Sequence, residues 1–351
     1  MHRDKANQEI SEQELMAQIQ ALGETPSSDI STQPLPSLHK RWNHLQEASS
    51  LVVKAKSAVS QAIQHIRQEG GVDILSMRQA VQGMVTSIIE DELSLLTLST
   101  LTRKHDRIFS HSMNVAVYLM ALYKRQGKSE QEIQDIGVIG LRHDIGYAKL
   151  PDEIANLNRP SNKQEALLRR SHVDLSVVIM QRHSTLKPEL ADVVAQHHEH
   201  LDGSGYPKAL KAQQISWVGR ASAIVDAYDS YNATHSKQVL QEPKAGLRFL
   251  LKLSETKYDR TIVESFIQCI GVYPVGTIVQ LAGGSIGIVA LINRDTLLHP
   301  VIRVVQDRGQ APLTSENLVN LADFQNQKNY TIVKELPHHA LPHPAQSYLP
   351  I

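Results

Sequence analysis

Three segments of this chain combine the hydrophobic period of an α-helix with histidine at positions that should be buried. A helical face buries residues spaced three and four apart, and in all three segments histidine shares that face with aliphatic side chains. The stripes are His111, Val115, Leu119 and Leu122; Leu168, His172, Leu175 and Ile179; and Leu190, Val193, Val194, His197 and His198. A single buried histidine is usually an ordinary core residue, but imidazoles turned inward from three helices predict a common polar centre.

Two aspartates take similar positions, because Asp144 comes after His143 and an apolar run, and Asp226 follows Ile224 and Val225. A buried carboxylate without a cation costs several kcal/mol, and no lysine or arginine is spaced along these stripes to neutralise it. Divalent metal satisfies both kinds of group, since imidazole and carboxylate suit Fe, Mn, Ni or Zn. The candidate ligands exceed the needs of one ion, so we expect two ions, ~3.5–4 Å apart, that share a bridging aspartate. These ligands are His111, His143, Asp144, His172, His197, His198 and Asp226.

The composition limits the classes of function. Hydrophobic residues make up 41% of the 351 residues, which is enough for a large core, and the formal net charge is +0, which gives no global basic field for nucleic acid. The one cysteine, Cys269, excludes an intrachain disulfide and fits a reducing compartment. No segment approaches the ~20 apolar residues of a membrane span, and the N-terminus lacks the apolar block of a signal peptide. We therefore expect a cytoplasmic protein that does not bind DNA and has no membrane span.

The pattern along the chain predicts a mainly α fold: an all-helical metal-binding bundle with an N-terminal helical hairpin and a small C-terminal antiparallel β subdomain. Residues 1–38 are polar and are expected to form a flexible tail. Heptads in residues 39–100, interrupted at Gly70-Gly71, predict two antiparallel helices. Whether this hairpin only packs on its own core or forms a dimer stays open.

Residues 101–270 carry the inward histidines and are expected to be the catalytic domain. Capping-box patterns, Ser129 with Glu132 and Ser161 with Gln164, predict two helix starts there. Residues 271–325 contain three β-rich runs, 275–281, 286–292 and 301–305. Residues 326–351 are expected to be a loosely ordered tail, whose histidines are poor ligand candidates because chelation would cost ordering entropy.

Several motifs resemble the HD-GYP family of the HD phosphohydrolase superfamily. They are His111-Ser112-x-Asn114, His143-Asp144-Ile145-Gly146, the segment from Glu165 to His172, His197-His198-Glu199 with Asp202-Gly203-Ser204-Gly205-Tyr206-Pro207, and Arg220 to Asp229. The similarity extends over about residues 90 to 310, and the last histidine block with its Gly-Tyr-Pro loop is highly specific.

The resemblance implies a phosphodiesterase that hydrolyses cyclic di-GMP to linear pGpG or to GMP, by a hydroxide activated on two metal ions, Fe or Mn. It implies that the seven residues named above are metal ligands, with Asp144 bridging and catalytic. The residues implied to bind substrate are Gly203, Gly205, Tyr206, Pro207, Tyr147, Lys149 and Arg220.

Three positions depart from the family pattern. Tyr147 stands where the family has a lysine after His-Asp-Ile-Gly, and His235-Ser236-Lys237 stands where it has an arginine. Both changes remove expected phosphate contacts, so we expect a weak or selective enzyme in which Tyr147→Lys raises kcat/KM. Arg107 replaces a glutamate that ligates a third ion in some members, which favours two ions.

Two other functions stay open. One is hydrolysis of another nucleotide. The other is a non-catalytic receptor or scaffold with structural metals, in which the hairpin or the Gly-Tyr-Pro loop engages partners such as diguanylate cyclase domains. A homodimer through the hairpin is compatible with either function.

Overall fold

The structure is a computed structural model that describes Glu14, Ala17, Gln18 and the ranges 38–68, 74–101, 107–155, 160–182, 188–235, 244–293, 296–306, 318–343 and 345–349. Helices dominate the described residues, and one small antiparallel sheet follows them. The predicted fold class is therefore confirmed. In the described part of the chain, no helix is both long enough and apolar enough to cross a membrane.

The N-terminal hairpin consists of α1 (Leu38–Arg67) and α2 (Ile74–Leu101), which pack along each other. The described residues do not include the Gly70-Gly71 pair, at which the sequence predicts the turn of the hairpin. The side chains of two predicted heptad positions, Leu45 and Ile74, are also outside them. The other predicted heptad positions are buried: Ala48, Val52, Ala55, Val59, Ala62, Ile66, Met77, Val81, Met84, Ile88, Leu95 and Leu98. Alanine side chains between the two helices let them approach closely.

The hairpin also contacts the rest of the bundle, because Arg67 at the end of α1 forms an ion pair with Asp152 at 2.6 Å. The hairpin thus docks onto the segment that follows the His-Asp pair.

The helical bundle continues with nine helices in the described ranges: α3 (Arg107–Arg125), α4 (Glu130–Arg142), α5 (Asp152–Ala155), α6 (Lys163–Arg170), α7 (His172–Arg182), α8 (Pro188–Gln196), α9 (Trp217–His235), α10 (Lys244–Leu253) and α11 (Arg260–Ile270). Two short 3-10 helices, Ile145–Lys149 and Ala212–Gln214, lie between them. Helix α3 is central, because it packs against α2, α4, α9 and α11. Three of the scarce aromatic residues meet edge to face where α3, α9 and α11 join, with ring centroids 5.1 to 5.8 Å apart: Tyr118, Tyr228 and Phe266.

Of the two helix starts predicted from capping boxes, one is confirmed and the other is wrong by one residue. Ser129 and Glu132 form the predicted capping box at the start of α4. The predicted box of Ser161 with Gln164 was wrong by one residue, because Asn162 caps α6 and accepts from the Glu165 amide at 2.9 Å. An asparagine side chain is as good a cap as serine, and the next residue, Lys163, begins the helix.

The C-terminal sheet has the strand order β4-β3-β2-β1-β5, and every neighbouring pair is antiparallel. Its strands are β1 (Ile278–Leu281), β2 (Ile286–Leu291), β3 (Val301–Gln306), β4 (Leu318–Asn320) and β5 (Ile332–Leu336). Gly271, at φ +77°, ends α11 and turns the chain into this region, a conformation that favours glycine. One hydrophobic core extends from the helices into β1, β2 and β3.

The prediction of a loosely ordered C-terminal tail was wrong. Residues 326–351 contain β5, in which Ile332–Leu336 pairs with β1, followed by the 3-10 helices His338–Ala340 and Ala345–Tyr348. The backbone groups of β1 need a partner on the edge that β2 leaves open, and β5 supplies it. Where the domain boundaries fall stays a prediction.

Candidate metal centre

Asp144 lies in the middle of the converging histidines, and its two carboxylate oxygens face different partners. Its Oδ1 is 3.1 Å from Nε2 of His172 and 3.4 Å from Nε2 of His197. Its Oδ2 is 3.5 Å from Nε2 of His143 and 3.6 Å from Nε2 of His111. One carboxylate therefore divides the imidazoles into two groups, as a bridging ligand does.

Three of these histidines are oriented by the backbone of their own helical turn. Nδ1 of His143, His172 and His197 each faces the carbonyl oxygen three residues earlier, at 2.8, 2.6 and 2.8 Å respectively. A carbonyl can only accept, so Nδ1 carries a proton and Nε2 is the nitrogen turned toward the centre. In the neutral ring this Nε2 has the lone pair that binds a metal.

His111 is oriented by a carboxylate instead. Its Nδ1 is 2.8 Å from Oδ2 of Asp229, and the other oxygen of Asp229 accepts from the Asn114 side chain at 2.7 Å. Its Nε2 faces Asp226 Oδ1 at 2.9 Å. The second oxygen of Asp226 is 3.5 Å from Nδ1 of His198, so this carboxylate also connects the two halves of the centre.

The donor set fits divalent metal. Nε2 of His172 and Nε2 of His197 lie 3.3 Å apart, which is close enough for both to bind one cation through their lone pairs. Among the described residues, Nε2 of His143 and Oδ1 of Asp144 are buried without a hydrogen-bond partner. Two ligand sets share Asp144, one with His172, His197 and His198, and the other with His111 and His143. The residue types are those preferred by first-row transition metals.

The two carboxylates of the centre stay ionised despite their burial. Burial alone would raise the pKa of Asp144, but the charges of His143 and His172 hold it well below its ordinary value. Burial also acts to raise the pKa of Asp226, and the charge of His198 and a hydrogen bond from a second histidine hold it well below the usual range. Both side chains are therefore anionic ligands at neutral pH.

The pKa shifts of the histidines differ in direction because their neighbours differ. Burial lowers the pKa of His197, and burial together with the charge of His197 holds the pKa of His198 well below its ordinary value. Burial would also lower the pKa of His111, but hydrogen bonds to Asp226 and Asp229 and their charges raise it well above that value. Burial thus favours the neutral form of His197 and His198, which is the form that ligates metal.

The Gly-Tyr-Pro loop lies directly against the centre. The amide of Tyr206 donates to the carbonyl of His198 at 3.0 Å, and the two rings stack with centroids 4.6 Å apart. A Cβ on Gly205 would lie 2.5 Å from that same carbonyl oxygen, so only glycine fits. Gly203 has φ +79°, and Pro207 is exposed after the stacked tyrosine. These predicted substrate-binding residues are next to the metal ligands.

Glu199 holds this loop rather than ligating metal. It is buried, and its two oxygens accept from the amides of Lys208 and Leu210 at 2.7 and 2.9 Å. Both carboxylate oxygens are occupied by backbone donors. The third residue of the His-His-Glu run therefore acts as a structural anchor.

A second tyrosine, Tyr147, stacks on a histidine of the centre as Tyr206 does. Tyr147 is buried and stacks on His172, with centroids 4.2 Å apart and an angle of 6° between the rings. Arg169 lies over Tyr147 at 5.5 Å from the ring centroid, and Arg170 lies over Tyr206 at 4.7 Å. Two adjacent arginines of α6 thus cover two tyrosines that each cover a ligand.

The remaining predicted substrate contacts lie in different surroundings. Lys149 is exposed at the end of its 3-10 helix, and Arg220 forms an ion pair with Asp259 at 2.7 Å. That ion pair occupies Arg220 and weighs against a role toward substrate. Some of the positions that depart from the family pattern are outside the described side chains; they are Arg107, His235, Ser236 and Lys237.

Sequence reasoning did not assign roles to Asp229, Asn114, Glu199, Arg169 and Arg170. The first two belong to quoted motifs, and their spacing of three residues from Asp226 and from His111 was the signal available for their role. The arginines carry no such signal, because their partners are far away in sequence. Leu168, expected on the inward stripe of His172, is 39% exposed. The stripe fails there because α6 ends at Arg170 and α7 begins a new helix at His172.

Comparison with known proteins agrees with this geometry. The family model described as HD domain matches residues 84–262, about half of the chain. The chain therefore belongs to the HD domain family, a family of hydrolases. Within that family, the His143-Asp144 pair and the Gly-Tyr-Pro loop place it in the HD-GYP group.

The chain is similar to several characterised relatives. A cyclic di-GMP phosphodiesterase of Pseudomonas aeruginosa is 26% identical over 284 residues, which is 81% of this chain and 68% of that protein. The 3'3'-cGAMP-specific phosphodiesterase 2 of Vibrio cholerae is 34% identical over 128 residues, 36% of this chain and 24% of its own length. The chain thus spans about two thirds of the first relative and a quarter of the second. A solved structure of an HDG"Y"P protein from Bdellovibrio bacteriovorus covers 72% of this chain and 77% of its own, at TM-score 0.52 and 14% identity, and shows the shared fold.

Proposed function

We propose that this protein is a metal-dependent phosphodiesterase that hydrolyses cyclic di-GMP to pGpG or GMP. The observation that carries the proposal is the division of Asp144, whose two oxygens face two separate groups of imidazoles. A buried carboxylate in that position suits two ions and serves little purpose without them. The relatives named as cyclic di-GMP phosphodiesterases support the choice of substrate.

The residues of the centre would have different roles. Asp144 and Asp226, together with the five histidines, would hold the metal. Two divalent ions, for which we favour Fe or Mn, would supply Lewis acidity toward water and toward phosphoryl oxygens. The Gly-Tyr-Pro loop positions substrate beside His198, and the stacked rings of Tyr147 and Tyr206 exclude water from two ligand faces.

The substrate within the class of cyclic dinucleotides needs a direct comparison. Several relatives of 30 to 34% identity are named as 3'3'-cGAMP-specific phosphodiesterases. Hydrolysis of cyclic di-GMP, 3'3'-cGAMP and linear pGpG should be followed side by side, on protein purified without oxygen and supplied with Fe(II) or Mn. We expect the highest kcat/KM for cyclic di-GMP. An Asp144→Asn variant that is folded and equally active would sink the proposal.

A receptor is the second candidate, and Tyr147 is the observation that favours it. The family lysine at this position is absent, and Tyr147 is buried against His172 instead of reaching toward substrate. Binding of cyclic di-GMP by the metal-containing protein, with no turnover of any dinucleotide, would identify a receptor. Diguanylate cyclase domains or a second copy of the chain would then be its partners. A cytoplasmic location, expected from the single cysteine, belongs to either proposal.

A further inference from the structure

Arg169 contacts a candidate metal ligand through its backbone and the tyrosine that covers this ligand through its side chain. Its carbonyl oxygen accepts from Nδ1 of His172 at 2.6 Å, so its backbone holds a metal ligand in place. Its guanidinium lies 5.5 Å from the ring centroid of Tyr147, which stacks on the same imidazole. The side chain therefore has a fixed relation to the centre although it belongs to α6, a helix without buried residues.

Tyr147 is suited to hold that guanidinium. Its ring face offers a cation–π contact, and its hydroxyl hydrogen-bonds to Arg169. Both contacts are made by the residue that stacks on His172, so they hold the guanidinium next to this histidine.

We propose that Arg169 supplies the cationic contact to a substrate phosphate that position 147 no longer provides, with Tyr147 as the platform that positions it. This inference rests on the proposed function, since it assumes a nucleotide phosphodiester as substrate. The planar guanidinium binds two phosphate oxygens at once, which a lysine ammonium does not. Arg169 is partly exposed, so the side chain is accessible to a ligand.

Other cations of the described residues fit this role less well. Arg220 is engaged by Asp259, and Arg142 is fully buried in the core. Lys149 is exposed at the far end of its 3-10 helix, with no contact that would orient it toward the centre. Arg170 shares with Arg169 the combination of exposure and a contact to a tyrosine that covers a candidate ligand, but Arg170 lies over Tyr206 and Arg169 lies over position 147.

The test uses Arg169→Gln with Lys163→Gln as the matched control, because Lys163 is an exposed cation at the other end of the same helix. The dissociation constant is measured by calorimetry on the metal-containing protein with a phosphorothioate analogue of cyclic di-GMP that resists hydrolysis, so that the readout does not depend on turnover. We expect Arg169→Gln to weaken binding about 10-fold to 100-fold, as for loss of a charge-assisted hydrogen bond. Lys163→Gln should change it less than about 2-fold, and metal content should be unchanged in both variants because the His172 contact is to backbone.

Restoring the cation at position 147 gives the second arm. Tyr147→Lys also removes the ring that covers His172, so it is measured with metal in excess and its metal content is checked. Under that condition Tyr147→Lys should recover most of the lost affinity in the Arg169→Gln protein and change the affinity of the otherwise unaltered protein much less. Wild-type affinity in Arg169→Gln, or no recovery in a folded double variant, overturns the inference. If the wild type binds through Arg169 but hydrolyses no dinucleotide, the proposed enzyme fails and this contact stands; if hydrolysis is normal in Arg169→Gln, only this inference fails.

Discussion

The phenol ring of Tyr147 lies parallel to the imidazole of His172, with centroids 4.2 Å apart. A position that the family resemblance assigns to a substrate contact is thereby used to cover a metal ligand. His172 is held on one edge by the Arg169 carbonyl and on one face by this ring, so its Nε2 is fixed toward Asp144. Where the resemblance implies a lysine that contacts phosphate, this chain has a ring that packs on a histidine of the candidate centre.

Removing that ring should loosen the ligand. We expect Tyr147→Ala to weaken metal binding on the His172 side about 10-fold to 100-fold, as the loss of a supporting partner does. Tyr147→Phe retains the stacked face and should retain the metal. Metal content after equilibration with a competing chelator measures both. Equal metal retention in the alanine variant would show that the stack does not position His172.

Ligand removal should act on one half of the centre at a time. In a protein with two ions, His143→Ala and His172→Ala should each reduce the content to about one ion per chain, because their Nε2 atoms face different oxygens of Asp144. Asp144→Asn should weaken both ions. Elemental analysis per folded chain is the measurement. If either histidine variant loses both ions while the other loses none, the division by Asp144 is wrong.

Asp229 should prove functional although it faces no metal directly. Asp229→Asn weakens the hydrogen bond to Nδ1 of His111 and no longer favours the tautomer with a free Nε2. We expect metal affinity about 10-fold to 100-fold lower. Asp174→Asn, an exposed change on α7, is the control and should match the wild type. Comparable affinities for the two variants would contradict this role.

Glu199 should matter for stability more than for metal binding. Glu199→Gln replaces one acceptor of the Lys208 and Leu210 amides by a donor, which should lower the free energy of unfolding by about 1.5–3 kcal/mol. Chemical denaturation measures this, with the exposed Glu153→Gln as the control. Loss of metal without loss of stability would mean that Glu199 is a ligand after all.

Metal removal should destabilise the whole protein. Without cations, the lone pairs of His172 and His197 face each other and the carboxylates of Asp144 and Asp226 stay buried and charged. Ligand that binds only the folded state at 100 times its Kd adds about 2.7 kcal/mol, so a chelator should lower Tm by several degrees. The shift should vanish in Asp144→Asn. A protein that contained metal and keeps its Tm in chelator would contradict the coupling.

Helical periodicity in the sequence predicted most of the fold and most of the candidate metal ligands. The heptads of α1 and α2 are buried as expected, because a local spacing of three and four residues decides which side of a helix meets the core. His111, His143, His172 and His197 converge with Asp144 and Asp226 for the same reason. The β-rich runs gave β1, β2 and β3, since alternating aliphatic residues are a local signal as well.

What periodicity missed depends on contacts between distant residues. β5 pairs with β1 across more than fifty residues, and nothing local in the tail marks its partner. The ion pair of Arg220 with Asp259 at the start of α11 also joins residues that are far apart in sequence, and the role toward substrate that the resemblance implies for Arg220 stays a prediction. Leu168 lost its inward position because a helix boundary intervenes before His172.

The sequence by itself determined the helical bundle, the small sheet and the types of the candidate metal ligands, because each of these follows from residue spacings of a few positions along the chain. Only the tertiary structure decided that Asp144 faces two groups of imidazoles, that Asp229 supports His111 and that Arg169 lies over Tyr147. Those relationships join side chains from different helices. Their geometry follows from how the helices pack, which no local spacing specifies.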